Sequence, residues 1–171
     1  MPILIFIRIN ILERIIGIDI GLRFTGYGVL DFDNKREIVI EGGVIKTDSS
    51  KELHVRLGSI FEDLDYIYKK YSPETTSMED LHSRYRNLKT AIVMGHARGV
   101  ACVVSEINNA PVYHYQATQI KRMVTGSGRA DKSQMMKTVG ARLSKGVISN
   151  EHVADAFGAA ICHKMMYRSD L

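Results

Sequence analysis

The sequence predicts an α/β fold in which helices flank a five-stranded mixed sheet. Two kinds of segment indicate this. Five short apolar runs rich in β-branched residues are bounded by turn residues, and five longer stretches space their apolar residues at helical intervals. Their order is the third observation, because three strands come first and two further strands then alternate with helices. This order is typical of a mixed sheet that is covered by helices.

The first three strands follow one another closely and are expected to be antiparallel neighbours. Residues 14–19 form a buried strand, and the segments "TGYGVLDF" and "EIVIEGGVIKT" form the second and third strands. Between these two segments, an Asp-Asn-Lys run has the composition of a hairpin turn.

The remaining elements alternate along the chain. A helix is predicted over residues 51–71, where apolar side chains recur every three or four positions, and Ser72-Pro73 ends it. "TTSME" and "PVYHY" are the fourth and fifth strands. Asp131 is predicted to be the N-cap of the helix that ends near Leu143. Further helices are predicted over residues 87–107, 117–124, 131–143 and 150–166.

The length of 171 residues suits one domain with a substantial core. Residues 1–12 are strongly apolar, but Arg8 and Asn10 interrupt them and no small-residue cleavage site follows. The segment is too short and too charged to span a bilayer. We therefore expect residues 1–12 to be an N-terminal extension, residues 13–171 to be a single domain, and no part of the chain to enter a membrane.

Composition and charge favour a globular protein that binds phosphate groups. Hydrophobic residues make up 45% of the chain and charged residues 25%, which is not the composition of a disordered protein. The net charge is only +4, but residues 121–145 contain seven basic residues against one acidic residue. Residues 81–98 contain four basic residues and no acidic one. Such local density is typical of a phosphate-binding surface, although a solvated helix face is the alternative.

The two cysteines predict a reducing compartment. Cys102 and Cys162 each lie within an apolar helical pattern, and neither belongs to a zinc-binding spacing. We expect two buried free thiols, and hence a cytoplasmic protein.

Four polar residues fall where this sheet would gather them. Asp19 ends the first strand, Glu79 ends the fourth, and His152 and Asp155 share one face of the last helix. Ligands of α/β proteins bind beyond strand ends, so these side chains converge if the first and fourth strands are neighbours. Clustered carboxylates need cations to stay ionised. Oxygen ligands favour Mg²⁺ or Mn²⁺, and two such ions are a common device for cleaving a phosphodiester.

Each of these residues has a simpler interpretation when it is taken alone. A "GIDIG" turn like that at Asp19 also opens actin-like ATPases and sugar kinases, but those folds have two lobes and need a longer chain than this. Glu79 suits an exposed position before a loop. His152 and Asp155 could form a local hydrogen bond. The metal-site interpretation therefore depends on all four residues together.

Four segments carry a resemblance to a known family. The segments "RIIGIDIGLRFTGYGV", "MGHARGVA", "YQATQIKRMVTGSGRADKSQ" and "VADAFGAAICH" resemble the RuvC-type Holliday junction resolvases, in the right order over residues 14 to 163. The resemblance implies an RNase H-like fold and a homodimer. It also implies paired, metal-dependent incisions in a four-way DNA junction during recombination and repair, with a branch-migration helicase as a further partner.

The resemblance also implies roles for individual residues. The catalytic and metal-binding positions of the family match Asp19, Glu79, His152 and Asp155, with two Mg²⁺ or Mn²⁺ ions per site. Many members carry Asp where this chain has His152. The DNA-contacting lysines of the family match Lys121 and Lys132.

The basic stretches add three arginines to the expected DNA-binding surface: Arg129, Arg84 and Arg86. The segment after Glu79 is one residue longer than is usual in the family. His82 or Tyr85 would therefore have to serve as the aromatic residue that many members place there.

The sequence leaves two other functions open. One is an RNase H-like nuclease that acts on other branched or hybrid nucleic acids. The other is a non-catalytic module that binds junctions, in which the acidic residues only satisfy local hydrogen-bond donors.

Overall fold

A computed structural model describes residues 12–33, 36–80, 87–144 and 148–168. The predicted order of strands and helices is confirmed, and the bounds of the elements differ from the predictions by at most two residues. The strands are β1 (Glu13–Asp19), β2 (Phe24–Phe32), β3 (Glu37–Lys46), β4 (Thr75–Glu79) and β5 (Val112–Tyr115). The helices are α1 (Leu53–Tyr71), α2 (Leu88–Ile107), α3 (Ala117–Thr125), α4 (Lys132–Arg142) and α5 (Glu151–Arg168).

The five strands form one mixed sheet in the order β3-β2-β1-β4-β5. β1 pairs antiparallel with β2, and β2 pairs antiparallel with β3, as the short connections predict. β1 and β4 run parallel, as do β4 and β5. In the β1–β4 ladder Ile18 lies opposite Met78, so the next residues, Asp19 and Glu79, leave the sheet at the same edge.

Helices cover both faces of the sheet, and β1 divides its side chains between the two resulting cores. Ile16 and Ile18 are fully buried on the face that α1 and α2 cover. Ile15 is fully buried on the opposite face, together with side chains of α3, α4 and α5. This alternation follows from the two-residue period of a strand.

The α5 helix lies unusually close to the sheet, and two strand glycines allow it. A Cβ atom at Gly17 would lie 1.8 Å from the carbonyl oxygen of Ala156, and one at Gly26 would lie 2.1 Å from that of His152. The α5 side of this contact is rich in alanine, which also permits a close approach. The start of α5 is thereby held against the strand ends at which Asp19 lies.

The α2 helix buries one face and exposes the other. Ala97, Ala101 and Val104 are fully buried, whereas Ile92 and Val103 are each 52% exposed. By length and composition alone, α2 is the one helix in the described ranges that could cross a membrane, which is weak evidence for a span. The expectation of no membrane segment stays a prediction.

Two further expectations about the chain have mixed outcomes. Cys162 is buried as predicted, but Cys102 is only half-buried because it lies at the border of the buried face of α2; both thiols are free. Residues 1–11 lie outside the described residues. The N-terminal extension and the boundaries of a single domain therefore stay predictions.

Candidate functional site

The four predicted polar residues lie at one edge of the sheet. Asp19 is the last residue of β1, and Glu79 is the last residue of β4. His152 and Asp155 lie in the first turns of α5, whose start packs over the β1–β2 hairpin through the close contact at Gly26. Parallel pairing of β1 and β4 and the packing of α5 thus bring together residues that are remote in sequence.

His152 is hydrogen-bonded to Asp19. A bond of 2.7 Å joins His152 Nδ1 to Asp19 Oδ2, and both side chains are about one-quarter to one-third exposed. His152 therefore takes its partner from β1, 133 positions away, rather than from Asp155 on its own helix. The expectation of a merely local His-Asp pair is not what the structure shows.

Burial and mutual repulsion disfavour the simultaneous ionisation of Asp19 and Asp155. The pKa of Asp155 is raised from 3.8 to about 6, first by burial and then by the nearby Asp19 carboxylate, while Lys132 opposes the shift. Burial also raises the pKa of Asp19, against the lowering effect of its hydrogen bond to His152. A cation placed between these groups would remove the repulsion and favour their ionised forms.

Glu79 and Asp155 line one cavity of about 250 Å³. Lys121 from α3 and Lys132 from α4 line the same cavity, and its apolar wall consists of Ala117, Ile120 and Met135. The cavity therefore combines anionic groups that suit a metal with cationic groups that suit a phosphate. Glu79 and Asp155 meet in this cavity. Asp19, which bonds to His152, lies close enough to Asp155 for its charge to raise the pKa of Asp155.

The donor set suits a divalent cation, but it is not a preformed cage. Among the described residues, no group of three or more His, Cys, Asp and Glu side chains lies close enough together to hold one ion. Three carboxylates and an imidazole nevertheless match the ligand preferences of Mn²⁺ and Mg²⁺. The repulsion between the Asp19 and Asp155 carboxylates, which contributes to the raised pKa of Asp155, favours a positive charge here. Metal binding by these four residues stays a prediction.

Lys132 pairs with an acidic neighbour at the rim of the site. Its ammonium lies 2.6 Å from a carboxylate oxygen of Glu151, and its side chain is 71% exposed. This bond raises the pKa of Lys132, as do the charges of Asp155 and Asp19. Lys132 is therefore close enough to act on the acidic site electrostatically.

The predicted arginines have different positions. Arg129 is exposed in the loop between α3 and α4, outside the cavity lining, where its backbone N–H donates to Ser127 Oγ. Arg84 and Arg86 lie outside the described residues, as do the aromatic candidates His82 and Tyr85. The DNA-binding roles of the three arginines stay predictions.

Two residues near the site were missed by the sequence analysis. The Phe24 ring stacks on His152, with centroids 5.8 Å apart and an interplanar angle of 28°. Nothing in the sequence distinguishes Phe24 from an ordinary apolar strand residue. Arg98 is only 8% exposed and donates to the main-chain oxygen of Glu79. Its isolated charge within "MGHARGVA" is a signal that could have been noticed.

Comparison with known families identifies the chain. A family model described as "Crossover junction endodeoxyribonuclease RuvC" matches residues 15–163. The chain belongs to the RuvC family. The predicted family and its enzyme class, a hydrolytic and metal-dependent endodeoxyribonuclease, are thereby confirmed.

Two curated RuvC proteins show how far the family likeness extends. The protein of Alkaliphilus oremlandii is 40% identical over 150 residues, which cover 87% of this chain and 91% of its own. The protein of Trichlorobacter lovleyi is 37% identical over 155 residues, which cover 91% and 86% respectively.

Solved RuvC structures share the fold. The Thermus thermophilus RuvC structure is 28% identical, with a TM-score of 0.83 and coverage of 92% of this chain and 97% of its own. The same RuvC in complex with a Holliday junction substrate gives a TM-score of 0.87, with coverage of 92% and 96%. The yeast mitochondrial resolvase Ydc2, at 14% identity and a TM-score of 0.59, shares the fold alone. The predicted RNase H-like fold is confirmed.

Proposed function

We propose that this chain resolves four-way DNA junctions by hydrolysing one phosphodiester in each of two opposed strands. The observation that carries this proposal is the shared edge of β1 and β4, at which Asp19 and Glu79 meet the start of α5 beside two lysines. The likeness to a RuvC that was solved with a Holliday junction substrate supports the choice of substrate.

Asp19, Glu79, His152 and Asp155 are assigned as the catalytic metal ligands. When two divalent ions are bound, they supply an activated water and stabilise the leaving oxygen of the phosphodiester. The four side chains hold the ions and set their position. Because His152 Nδ1 is bonded to Asp19, its Nε2 is the nitrogen that we assign to the metal. Phe24 limits rotation of the imidazole by stacking on it.

Lys121 and Lys132 are assigned to the DNA backbone beside the acidic site. Both line the cavity with Glu79 and Asp155, so a phosphate placed there would meet two ammonium groups. Lys132 would exchange its carboxylate partner, Glu151, for a phosphate oxygen. Such contacts set the affinity and position of the DNA but carry no sequence information. Arg129, Arg84 and Arg86 are assigned to further contacts with the DNA backbone.

The experiment that tests this function compares substrates. A labelled immobile four-way junction, a linear duplex, a flap and an RNA–DNA hybrid are each incubated with the full chain and Mn²⁺. We expect symmetric nicks in the junction and little cleavage of the others. Preferential cleavage of the flap or the hybrid would instead indicate a nuclease with another substrate. Junction binding without cleavage, and with the same Mn²⁺ affinity in Asp155→Asn as in the wild type, would indicate a non-catalytic module.

The metal is proposed to be Mg²⁺ or Mn²⁺, with Mn²⁺ at least as effective. An imidazole ligand favours Mn²⁺ over Mg²⁺ more than a carboxylate does. His152→Asp should therefore shift the ratio of cleavage rates toward Mg²⁺. A wild-type enzyme that clearly prefers Mg²⁺ would remove His152 from the proposed ligand set.

A two-fold dimer is proposed to form through the exposed face of α2. Large apolar side chains on either side of two glycines are exposed here, and Cβ atoms built at Gly95 and Gly99 meet nothing within 4 Å. The large side chains are Leu88, Ile92, Val103 and Ile107. Small residues between large ones let two helices approach closely. A two-fold axis would present two equivalent sites to opposed strands.

Three expectations are supported by the family resemblance and the free thiols alone. They are partnership with a branch-migration helicase, a cytoplasmic location, and a single nuclease domain over residues 13–171. They stay predictions.

A further inference from the structure

We propose that Arg98 is a positioning residue for Glu79, holding the end of β4 so that the Glu79 carboxylate stays in the acidic cavity. The inference rests on the proposed function in one respect, since it takes Glu79 to be a metal ligand. Arg98 belongs to α2 and does not line the cavity itself, so it acts through the backbone of β4.

The contacts of Arg98 converge on the residues around the end of β4. Its Nη1 donates to the main-chain oxygen of Glu79. Its Nη2 donates to Asp80 Oδ1 at 3.3 Å and lies 2.5 Å from His114 Nδ1 on β5. One guanidinium thus joins α2, the last residue of β4, the residue after it and the neighbouring strand.

The backbone after Glu79 is held from the opposite side as well. The Asp80 N–H donates to the carbonyl oxygen of Tyr115 at 2.8 Å, in register with the last β4–β5 pair, Glu79 and Tyr115. Arg98 supplies the bond on the α2 side. The peptide between Glu79 and Asp80 is therefore fixed by β5 through its N–H and by Arg98 through its carbonyl oxygen.

Packing alone does not account for an arginine at this position. Arg98 is 8% exposed, and its helical neighbours Ala97 and Ala101 are fully buried. Its acidic partner, Asp80, is 56% exposed and 3.3 Å away, which makes a weak ion pair for a buried charge. Burial, and then the Arg98 charge, lower the pKa of His114 and favour its neutral form. Apolar residues that fill such a space are often as stabilising as a buried charge, so the forked geometry indicates a positioning role.

The position of Arg98 also connects two parts of the proposed mechanism. α2 exposes on its outer side the apolar face that we assign to the dimer contact, and Arg98 extends from the inner side of the same helix. The helix that would meet the second copy therefore also holds the end of β4 from which Glu79 extends.

The substitution Arg98→Lys tests the positioning role, because it keeps the positive charge but loses the two separate nitrogens with which the guanidinium contacts Glu79, Asp80 and His114. Arg14→Lys is the matched control, since Arg14 also bonds one carboxylate, Asp31 at 2.6 Å, and one main-chain oxygen, that of Tyr71 at 2.7 Å. Arg14 lies near the opposite end of β1 from Asp19. Both variants should lower the melting temperature.

The readout that separates the two arginines is Mn²⁺ affinity, measured by calorimetry on the full chain without DNA. Changing the residues that orient a metal ligand typically weakens metal binding by about 10- to 100-fold. We expect Arg98→Lys to raise the dissociation constant about tenfold by this effect, and Arg14→Lys to leave it unchanged. Should Arg98→Lys fail to fold, Arg98→Gln replaces it, because its amide keeps a single NH₂ group that can donate to the Glu79 carbonyl oxygen.

A double-mutant cycle with Glu79→Gln completes the test. If Arg98 acts through Glu79, Arg98→Lys adds no further loss of affinity in the Glu79→Gln background. Equal affinities of Arg98→Lys and the wild type, or additive losses in the double variant, would overturn the positioning role. A wild type that binds no Mn²⁺, or Glu79→Gln with wild-type affinity, would instead contradict the metal role of Glu79 in the proposed function.

Discussion

At the scale of single residues, two opposing effects act on the ionisation of Asp19. It follows Ile18, which is fully buried, and burial raises its own pKa, while His152 stabilises its ionised form through a direct hydrogen bond. A carboxylate in this position is stabilised further by a cation. This balance supports the proposal that Asp19 is a metal ligand rather than an ordinary turn residue.

Asp19→Asn should abolish junction cleavage while junction binding survives. The amide keeps the size of the side chain but removes the charge that would attract the metal. Cleavage of a labelled junction in Mn²⁺ and a binding assay in EDTA check this. Asp48→Asn is the control, because Asp48 is exposed and bonds to Ser50 in a loop. Loss of binding along with cleavage would point to misfolding or to another role for Asp19.

Asp155 should make the metal-free protein less stable as the pH rises. Its folded pKa of about 6 exceeds 3.8, mainly because of burial. The folded state therefore holds the proton more tightly than the unfolded state, and stability falls as the pH rises from about 4 to above 6. After allowance for partial exposure, the loss should be on the order of 1–2 kcal/mol.

Chemical denaturation in EDTA between pH 4 and pH 8 measures this effect. The free energy of unfolding of Asp155→Asn should lack this decline, so its advantage over the wild type grows with pH. Parallel pH profiles for the two proteins would show that Asp155 does not titrate in this range.

At the scale of elements, the position of α5 decides where half of the site lies. Its close approach to β1 depends on Gly17, at which a Cβ atom would meet the backbone of Ala156. The backbone of a packed helix cannot yield as a flexible side chain can. The glycine therefore determines the distance at which α5 presents His152 and Asp155 to the strand ends.

Gly17→Ala should destabilise the protein by more than about 3 kcal/mol, beyond the usual cost of overpacking a core. Gly58→Ala is the matched control, because Gly58 lies within α1 and a Cβ atom there meets nothing within 4 Å. It should stabilise the protein by up to about 1 kcal/mol through helix propensity. Urea denaturation compares the two. A Gly17→Ala variant as stable as the wild type would show that α5 can move away from the sheet at little cost.

The α4 helix contributes its first residue, Lys132, to the proposed DNA surface. Lys132→Ala should weaken junction binding and reduce the slope of log affinity against log salt by about one, because one phosphate contact is lost. Lys137→Ala is the control on the same helix, since Lys137 is exposed and does not line the cavity. A slope that Lys132→Ala leaves unchanged would remove this lysine from the phosphate contacts.

At the scale of the whole molecule, the exposed face of α2 is the feature that a monomer leaves unexplained. Four large apolar side chains on one helix are each at least 52% exposed, with open space at the two glycines between them. Extended apolar surface of this kind is typical of a protein–protein contact. Paired incisions require two sites, which a two-fold contact at this face would provide.

Ile92→Asp should convert the dimer to a monomer and abolish paired incision, because it buries a charge in the contact. Val55→Asp is the control, since Val55 is 45% exposed on α1, outside the proposed contact. Analytical ultracentrifugation reports the mass, and a junction held in a supercoiled plasmid reports whether both strands are cut. A wild type that sediments as a monomer with junction bound would contradict the two-fold contact at α2.

The sequence by itself determined the elements and the chemical types of the site residues. Strand and helix periods act over a few residues, so Ile15 to Ile18, the α1 pattern and the Asp131 N-cap could be interpreted without a structure. The positions of Asp19 and Glu79 at strand ends followed in the same way. The family could also be predicted from the sequence, because the four segments that resemble it contain distinctive residues in a distinctive order.

Only the tertiary structure decided which of these residues meet. The parallel pairing of β1 with β4, the bond from His152 to Asp19 and the contact of Arg98 with Glu79 all join parts of the chain that are remote in sequence. The half-exposed side chain of Cys102 was likewise decided by how α2 packs. Such contacts arise from the packing of helices on both faces of one sheet, and no local pattern of residues records that packing.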